Sequence, residues 1–185
     1  MPRPRTRTIS RRQVIAAAVP LALGAAITRP AFAVRVTELK RSLTFEHLHT
    51  GEEVSAIYKV RGRYFPRGVA EIDHILRDWR TGESIQIDRA LLDLIWDLQR
   101  MLGSTAPIEI ISGYRSQKTN AMLASLNPGV AEHSQHTVGK ALDFRLADRD
   151  LDKIRKAAVS LQRGGVGYYP QSGFIHVDTG RVRVW

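Results

Sequence analysis

The sequence predicts an α+β domain, a small antiparallel sheet with flanking helices, across residues 34–185. Three observations carry that expectation. Residues 42–49 and 53–60 alternate apolar and polar side chains on either side of Thr50-Gly51, as the arms of a β-hairpin do. Several longer stretches have helical apolar spacing instead. The remaining strand-like runs are not separated by helices in the regular order that a parallel α/β sheet requires.

Taken in order, residues 34–41 are a polar lead-in, followed by the hairpin. Residues 66–79 place Val69, Ile72, Ile75, Leu76 and Trp79 on one helical face. Asp88 is suited to cap a second helix whose stripe is Leu91, Leu92, Leu94, Ile95, Leu98, Met101 and Leu102, with Gly103 ending it. Residues 107–112 (PIEIIS) form a short β-like run broken by Gly113. Residues 117–126 are helical up to the turn cluster Asn127-Pro128-Gly129. Residues 140–146 are a strand and 148–162 an amphipathic helix, with Gly164-Gly165 as its cap. Residues 166–169 and 173–178 are two closing strands.

Residues 1–33 have the organisation of an export signal. Arg3, Arg5, Arg7, Arg11 and Arg12 precede an apolar run over 14–27, and Ala31-Phe32-Ala33 supplies a small-x-small cleavage pattern. The apolar run is shorter than the ~20 residues a permanent span needs, and Pro20 and Gly24 interrupt it, so no stable membrane span is expected after processing. Ser10-Arg11-Arg12-Gln13-Val14-Ile15 resembles the S-R-R-x-F-L pattern of twin-arginine signals, with Val14 and Ile15 in place of Phe and Leu. The expected partner is the twin-arginine export machinery and the expected compartment the periplasm.

Charge and cysteine content then exclude several classes. The net charge of +10 owes much to this segment, which holds six of the 28 basic residues and none of the 18 acidic ones; the rest of the chain is only +4. That balance does not point to a nucleic-acid partner. With no cysteine, disulfides, thiolate ligands and thiol nucleophiles are all excluded, and any metal must be held by histidine and carboxylate.

Two segments carry chemistry: His133-Ser134-Gln135-His136-Thr137-Val138-Gly139-Lys140-Ala141-Leu142-Asp143-Phe144 and Phe174-Ile175-His176-Val177-Asp178. Successive side chains of a strand point to opposite faces. Leu142, Phe144 and Leu146 facing the core put Asp143 on the other side; Ile175 and Val177 facing the core do the same for His176 and Asp178. Were the two strands neighbours, Asp143 and His176 would converge. A turn at Gly139 would bring His136 to the same point. Two imidazoles and a carboxylate with one position left open form a normal catalytic zinc set, whereas a structural site usually has four protein ligands. The other reading of these residues is a surface histidine beside an edge-strand aspartate.

The stretches SGYRS (112–116), EHSQHTVGKALDF (132–144) and GGVGYYPQSGFIHVDTGRVRVW (164–185) resemble the zinc peptidases of the D-Ala-D-Ala carboxypeptidase and lysostaphin/hedgehog group, closest to the murein endopeptidase K branch. The resemblance implies a hedgehog-like peptidase fold, one Zn2+ on His136, Asp143 and His176, and peptide stems or cross-links of peptidoglycan as substrate. It also implies that Arg115, next to Tyr114 in the S-x-Y-R segment, binds a substrate carboxylate, a role suited to a planar guanidinium. Where many relatives have a Glu or Asp three residues before the last histidine ligand, this chain has Gly173. Proton transfer is then expected from Asp178 or His133, with an orienting role for Asp178 as the alternative. Two further readings stay open: a peptidoglycan-binding protein that keeps the metal site without turnover, and a small-dipeptide carboxypeptidase. Trp79, Trp96 and Trp185 are expected to be core or capping aromatics, and 164–167 a tight turn rather than a phosphate loop.

Overall fold

The computed structural model describes residues 40–185 apart from Pro128. Residues 1–39, where the sequence leads one to expect an export signal and a polar lead-in, lie outside the described residues. The strands are β1 (Lys40–His47), β2 (Glu53–Val60), β3 (Arg63–Tyr64), β4 (Ile108–Ser112), β5 (Ala141–Leu146), β6 (Gly165–Tyr169), β7 (Phe174–Asp178) and β8 (Arg183–Val184). The helices are α1 (Pro66–Ile75), α2 (Arg89–Leu102), α3 (Gln117–Leu126) and α4 (Leu151–Leu161), with one 3-10 turn at Gln135–Val138.

The α+β expectation holds, but the sheet is larger than expected. All eight strands join one sheet in the order β3-β2-β1-β4-β5-β7-β6-β8. It is antiparallel except where β4 lies parallel to β1 and β8 parallel to β6. The parallel pair β1–β4 arises because α1 and α2 intervene between the two strands and carry the chain back to its starting end. Alternation of apolar residues is blind to strand direction, so the sequence carried no sign of it.

One face of the sheet holds the core. Leu43, Phe45, Tyr58, Ile110, Phe144 and Ile175 from the strands meet Ile72, Leu91, Leu92, Ile95 and Ile154 from the helices, all at 0–2% exposure. α1 begins at Pro66, which needs no N–H partner in a first turn. α2 is capped by the Asp88 side chain at the Ala90 N–H and ends at Gly103 in the left-handed region, as its sequence indicates. α4 ends differently: its C-cap is Gln162, also left-handed, and Gly164 instead lies against the backbone of Asp178 and Gly165 against the Asp178 and Arg183 side chains. α2 is held to the far end of the sheet by Asp93, whose carboxylate accepts from Arg41, Lys59, Tyr58 and Tyr64. Among the described residues no helix is long and apolar enough to cross a membrane.

Candidate metal centre

β5 and β7 are direct neighbours, and their antiparallel register places Asp143 opposite His176. Both side chains project from the face that does not hold the core, since Leu142, Phe144, Ile175 and Val177 are buried on the other. His136 arrives from the 3-10 turn. Ser134 caps that turn at the His136 N–H, and Gly139, with φ of 67°, reverses the chain into β5. The left-handed conformation there favours glycine, and a Cβ would come within 2.9 Å of the Gln86 carbonyl.

His136 Nε2, Asp143 Oδ1 and His176 Nδ1 converge. The carboxylate oxygen is 3.2 Å from the first nitrogen and 2.8 Å from the second, and the two nitrogens are 3.2 Å apart. All three residues are buried, and their ligand atoms lie within 4.8 Å of one another, the spread a single ion can span. The remaining ring nitrogens fix the tautomers. His136 Nδ1–H donates to the Gly113 carbonyl at 2.7 Å, and His176 Nε2–H donates to Asp178 Oδ2 at 3.0 Å. Each imidazole therefore turns an unprotonated nitrogen toward the cluster, the form a metal needs.

Electrostatics agree with that donor set. Burial lowers the His136 imidazole below its ordinary value despite Asp143 beside it, so it is neutral. Burial alone would raise the Asp143 carboxyl, but the His136 and His176 rings outweigh it and hold it well below the carboxylate range. Burial likewise works against a charged His176, yet hydrogen bonds to Asp143 and Asp178 raise it. A second proton, on Nδ1, is therefore taken up more readily by His176 than by a free imidazole and would compete with a cation. The residues fit a divalent, borderline-soft ion bound by two imidazoles and a carboxylate.

The three residues lie in a cleft of about 630 Å³ lined also by Arg115, Asn127, His133, Tyr169, Phe174, Arg183 and Trp185. From the 112–116 segment Arg115 lines the cleft. The Tyr114 N–H donates to the Leu76 carbonyl and the Arg115 N–H to the His136 carbonyl, so the segment bridges the end of α1 and the ligand turn. Arg115 Nε donates to Ser112 Oγ at 2.8 Å, and Nη2 is ion-paired with Asp143 Oδ2. Among the described residues Nη1 has no partner.

A family model described as peptidoglycan L,D-endopeptidase MepK matches residues 35–185. The chain belongs to that family. Over 166 residues it is 46% identical to the peptidoglycan L,D-endopeptidase MepK of Escherichia coli strain K12, covering 89% of this chain and 91% of that protein. The Shigella flexneri protein of the same name matches to the same extent. A probable peptidoglycan L,D-endopeptidase MepK of Haemophilus influenzae is 43% identical over 167 residues, 89% of this chain and 90% of the relative.

Of the residues the sequence singles out, the structure brings His136, Asp143, His176, Arg115 and His133 to one cleft. His133 is exposed on its rim, in the stretch before the ligand turn. Tyr114 packs instead against the hydrophobic core and is not among the side chains lining the cleft. Asp178 is fully buried behind His176, on the side of the ring away from the cluster. Its two oxygens also accept from the Gly165 and Gly180 N–H groups and from both Arg183 nitrogens, Nη1 and Nη2. Burial would raise its carboxyl, but His176 first and then Arg183, Gly180 and Gly165 hold it far below its ordinary value. The sequence reading did not place Ser112, the Gly113 carbonyl, Tyr169 or Arg183 at the site, and Trp185, expected as a core or capping aromatic, is instead 47% exposed and lines the cleft. Tyr169 reaches the site through its pairing with Phe174 across β6 and β7, a register with no local sign in the sequence.

Proposed function

We propose that this protein is a zinc-dependent peptidoglycan L,D-endopeptidase, with the ion held by His136, Asp143 and His176. Membership of the family supports the reaction class. The observation that carries the site is the convergence of three ligand atoms whose imidazole partners already have their other nitrogens committed, to Gly113 and Asp178. A zinc ion bound there would act as a Lewis acid and make water nucleophilic at neutral pH.

The chain's own residues do the rest. Arg115 holds Asp143 through Nη2 and offers Nη1 to a carboxylate of the stem peptide, which fixes the peptide against the ligand wall. His133, the one histidine lining the cleft outside the ligand set, moves the proton between attacking water and leaving amine. Asp178 keeps Nε2 of His176 protonated and Nδ1 free, a positioning role. Its five accepted hydrogen bonds and its place behind the ring argue against a role as proton acceptor from water. Tyr114 serves the site through its backbone and its packing.

Incubating purified sacculi with zinc-loaded protein and separating the released fragments tests this reading. New stem-peptide ends, lost with a chelator and in His136→Ala, are expected; their absence from the wild-type digest overturns it. The motif at 10–15 supports delivery to the periplasm by the twin-arginine route. Replacing Arg11-Arg12 by two lysines should then retain the protein in the cytoplasm, read by cell fractionation.

A further inference from the structure

The chain returns to the cleft at Trp185. β8 lies against β6, and the Trp185 backbone is fixed on both sides: its N–H donates to the Val166 carbonyl at 3.2 Å and its carbonyl accepts from the Tyr168 N–H at 3.0 Å. Gly167 sits between those two positions and is directly opposite His176 in the β6–β7 pairing. Paired residues of neighbouring strands project from the same face, so the face of Gly167 is the face of the ligand imidazole. The indole fills that place. A Cβ on Gly167 would come within 2.8–2.9 Å of three Trp185 ring atoms, so glycine is what lets the ring lie flat over the strand.

The ring is positioned by more than its backbone. Its centroid is 5.2 Å from that of His176, its N–H donates to the Tyr169 hydroxyl at 2.8 Å, and the Arg183 guanidinium stands 4.7 Å from its centroid. Tyr169 in turn stacks on Phe174 at 4.7 Å and 20°. All three aromatic residues line the cleft, and Trp185 remains 47% exposed. The ring is thus held from three directions while about half of the residue's surface stays open to solvent.

Resting on the endopeptidase reading, we propose that Trp185, Tyr169 and Phe174 form a binding subsite for the aliphatic side chain of a stem-peptide residue beside the scissile bond. Methylene groups pack on aromatic faces without needing a hydrogen-bond partner. The wall starts 5.2 Å from a ligand imidazole, about one side chain from the reacting bond, so the group it meets belongs to the peptide rather than to a sugar. Arg115 on the opposite wall takes the polar end, and the aromatic wall takes the apolar one. Trp185 is thus a substrate-positioning residue with no part in proton transfer.

The test measures binding of a sugar-free stem peptide to metal-free protein by calorimetry, where no turnover interferes. Trp185→Ala should raise Kd about tenfold and Trp185→Phe should recover most of the loss. Gly167→Ala, which pushes the indole aside without removing apolar surface, should weaken binding in the same direction and decides the matter even where Trp185→Ala melts. Zinc affinity should stay within about twofold in all three variants, whereas a shield over His176 would show its loss there. Unchanged Kd in Trp185→Ala and Gly167→Ala, or weakening seen only with glycan-bearing fragments, overturns the subsite. A zinc-loaded wild type that binds the peptide and does not cleave it overturns the endopeptidase reading alone, and the Kd comparison still decides the subsite.

Discussion

Asp178→Asn separates two roles that the sequence could not. In the structure Oδ1 accepts from the Gly165 N–H at 3.1 Å and the Gly180 N–H at 2.8 Å, and Oδ2 accepts from His176 Nε2–H at 3.0 Å. An amide has only one acceptor oxygen. Leaving two buried backbone N–H groups unpaired costs about 1–3 kcal/mol each, so the Asn oxygen should stay with Gly165, Gly180 and Arg183 Nη1 and its NH2 should face the imidazole, with the partly exposed Arg183 Nη2 turning to solvent. His176 then presents Nε2 as acceptor and carries its proton on Nδ1, the atom turned to the metal. Loss of an orienting partner of this kind weakens metal binding or activity roughly 10–100-fold, or about 1.4–2.7 kcal/mol. The assay is competition for zinc against a chelator of known affinity, run beside kcat/KM on a defined muropeptide. Parallel losses in zinc affinity and kcat/KM, with kcat recovered at saturating zinc, are expected. A kcat that falls at least a thousandfold with zinc affinity unchanged would refute the tautomer argument and make Asp178 the proton acceptor.

Other consequences follow from the same geometry. Zinc affinity should fall as the pH is lowered, because Asp143 and Asp178 raise the His176 pKa in the metal-free protein and its proton competes with the ion; zinc titrations across pH 5 to 8 read it. His133→Ala should lower kcat about 100-fold or more while leaving zinc affinity unchanged, the reverse of the Asp178→Asn pattern. Asp78 ties the loop after α1 to the start of α3 by accepting from the Arg80 and Ser116 N–H groups. Burial works to raise its carboxyl, but hydrogen bonds from Thr119, Ser116 and Arg80 hold it down to about 2. Its folded value lies below the unfolded one of about 3.9, so its contribution is fully present above pH ~4 and is lost as the pH falls through ~2. Asp78→Ala should therefore destabilise by about 2 kcal/mol at neutral pH, less in acid, by denaturant melts at each pH.

What the sequence disclosed of the site follows from which interactions have a local signature. The strand period alone put Asp143 and His176 on one face, because Leu142, Phe144, Ile175 and Val177 had to face the core. That β5 and β7 are neighbours is a long-range fact with no local sign, and the register Asp143–His176 completes what alternation began. The Gly113 carbonyl on His136 lay out of reach for another reason: it is a backbone atom, and any residue supplies one. Asp178 was legible as a residue facing the site side. Only the coordinates show that the His176 ring stands between it and the cluster. Trp185 was the plainest miss, since a terminal aromatic after a two-residue strand has no periodicity to place it.

The charges around the cleft show why two arginines accompany two aspartates there. Asp143 lies against the unprotonated His136 and His176 nitrogens and accepts from Arg115, and Asp178 accepts from His176 and Arg183. Each carboxylate is thereby neutralised by its own guanidinium before any ion arrives. A dication placed among the three ligand atoms is then balanced by no spare carboxylate, and it gives the cleft a formal excess of about two positive charges. Buried sites that bind zinc for structure avoid such an excess by supplying anionic ligands. Here the excess faces an opening walled by Arg115 on one side and by aromatic rings on the other. A stem peptide carrying a free carboxylate would relieve that excess from outside the protein. The same reasoning makes the Arg115 pairing functional as well as structural. Arg115→Ala would leave Asp143 to neutralise the ion, so zinc should bind more tightly while peptide binds more weakly, opposite signs that a general loss of folding could not produce.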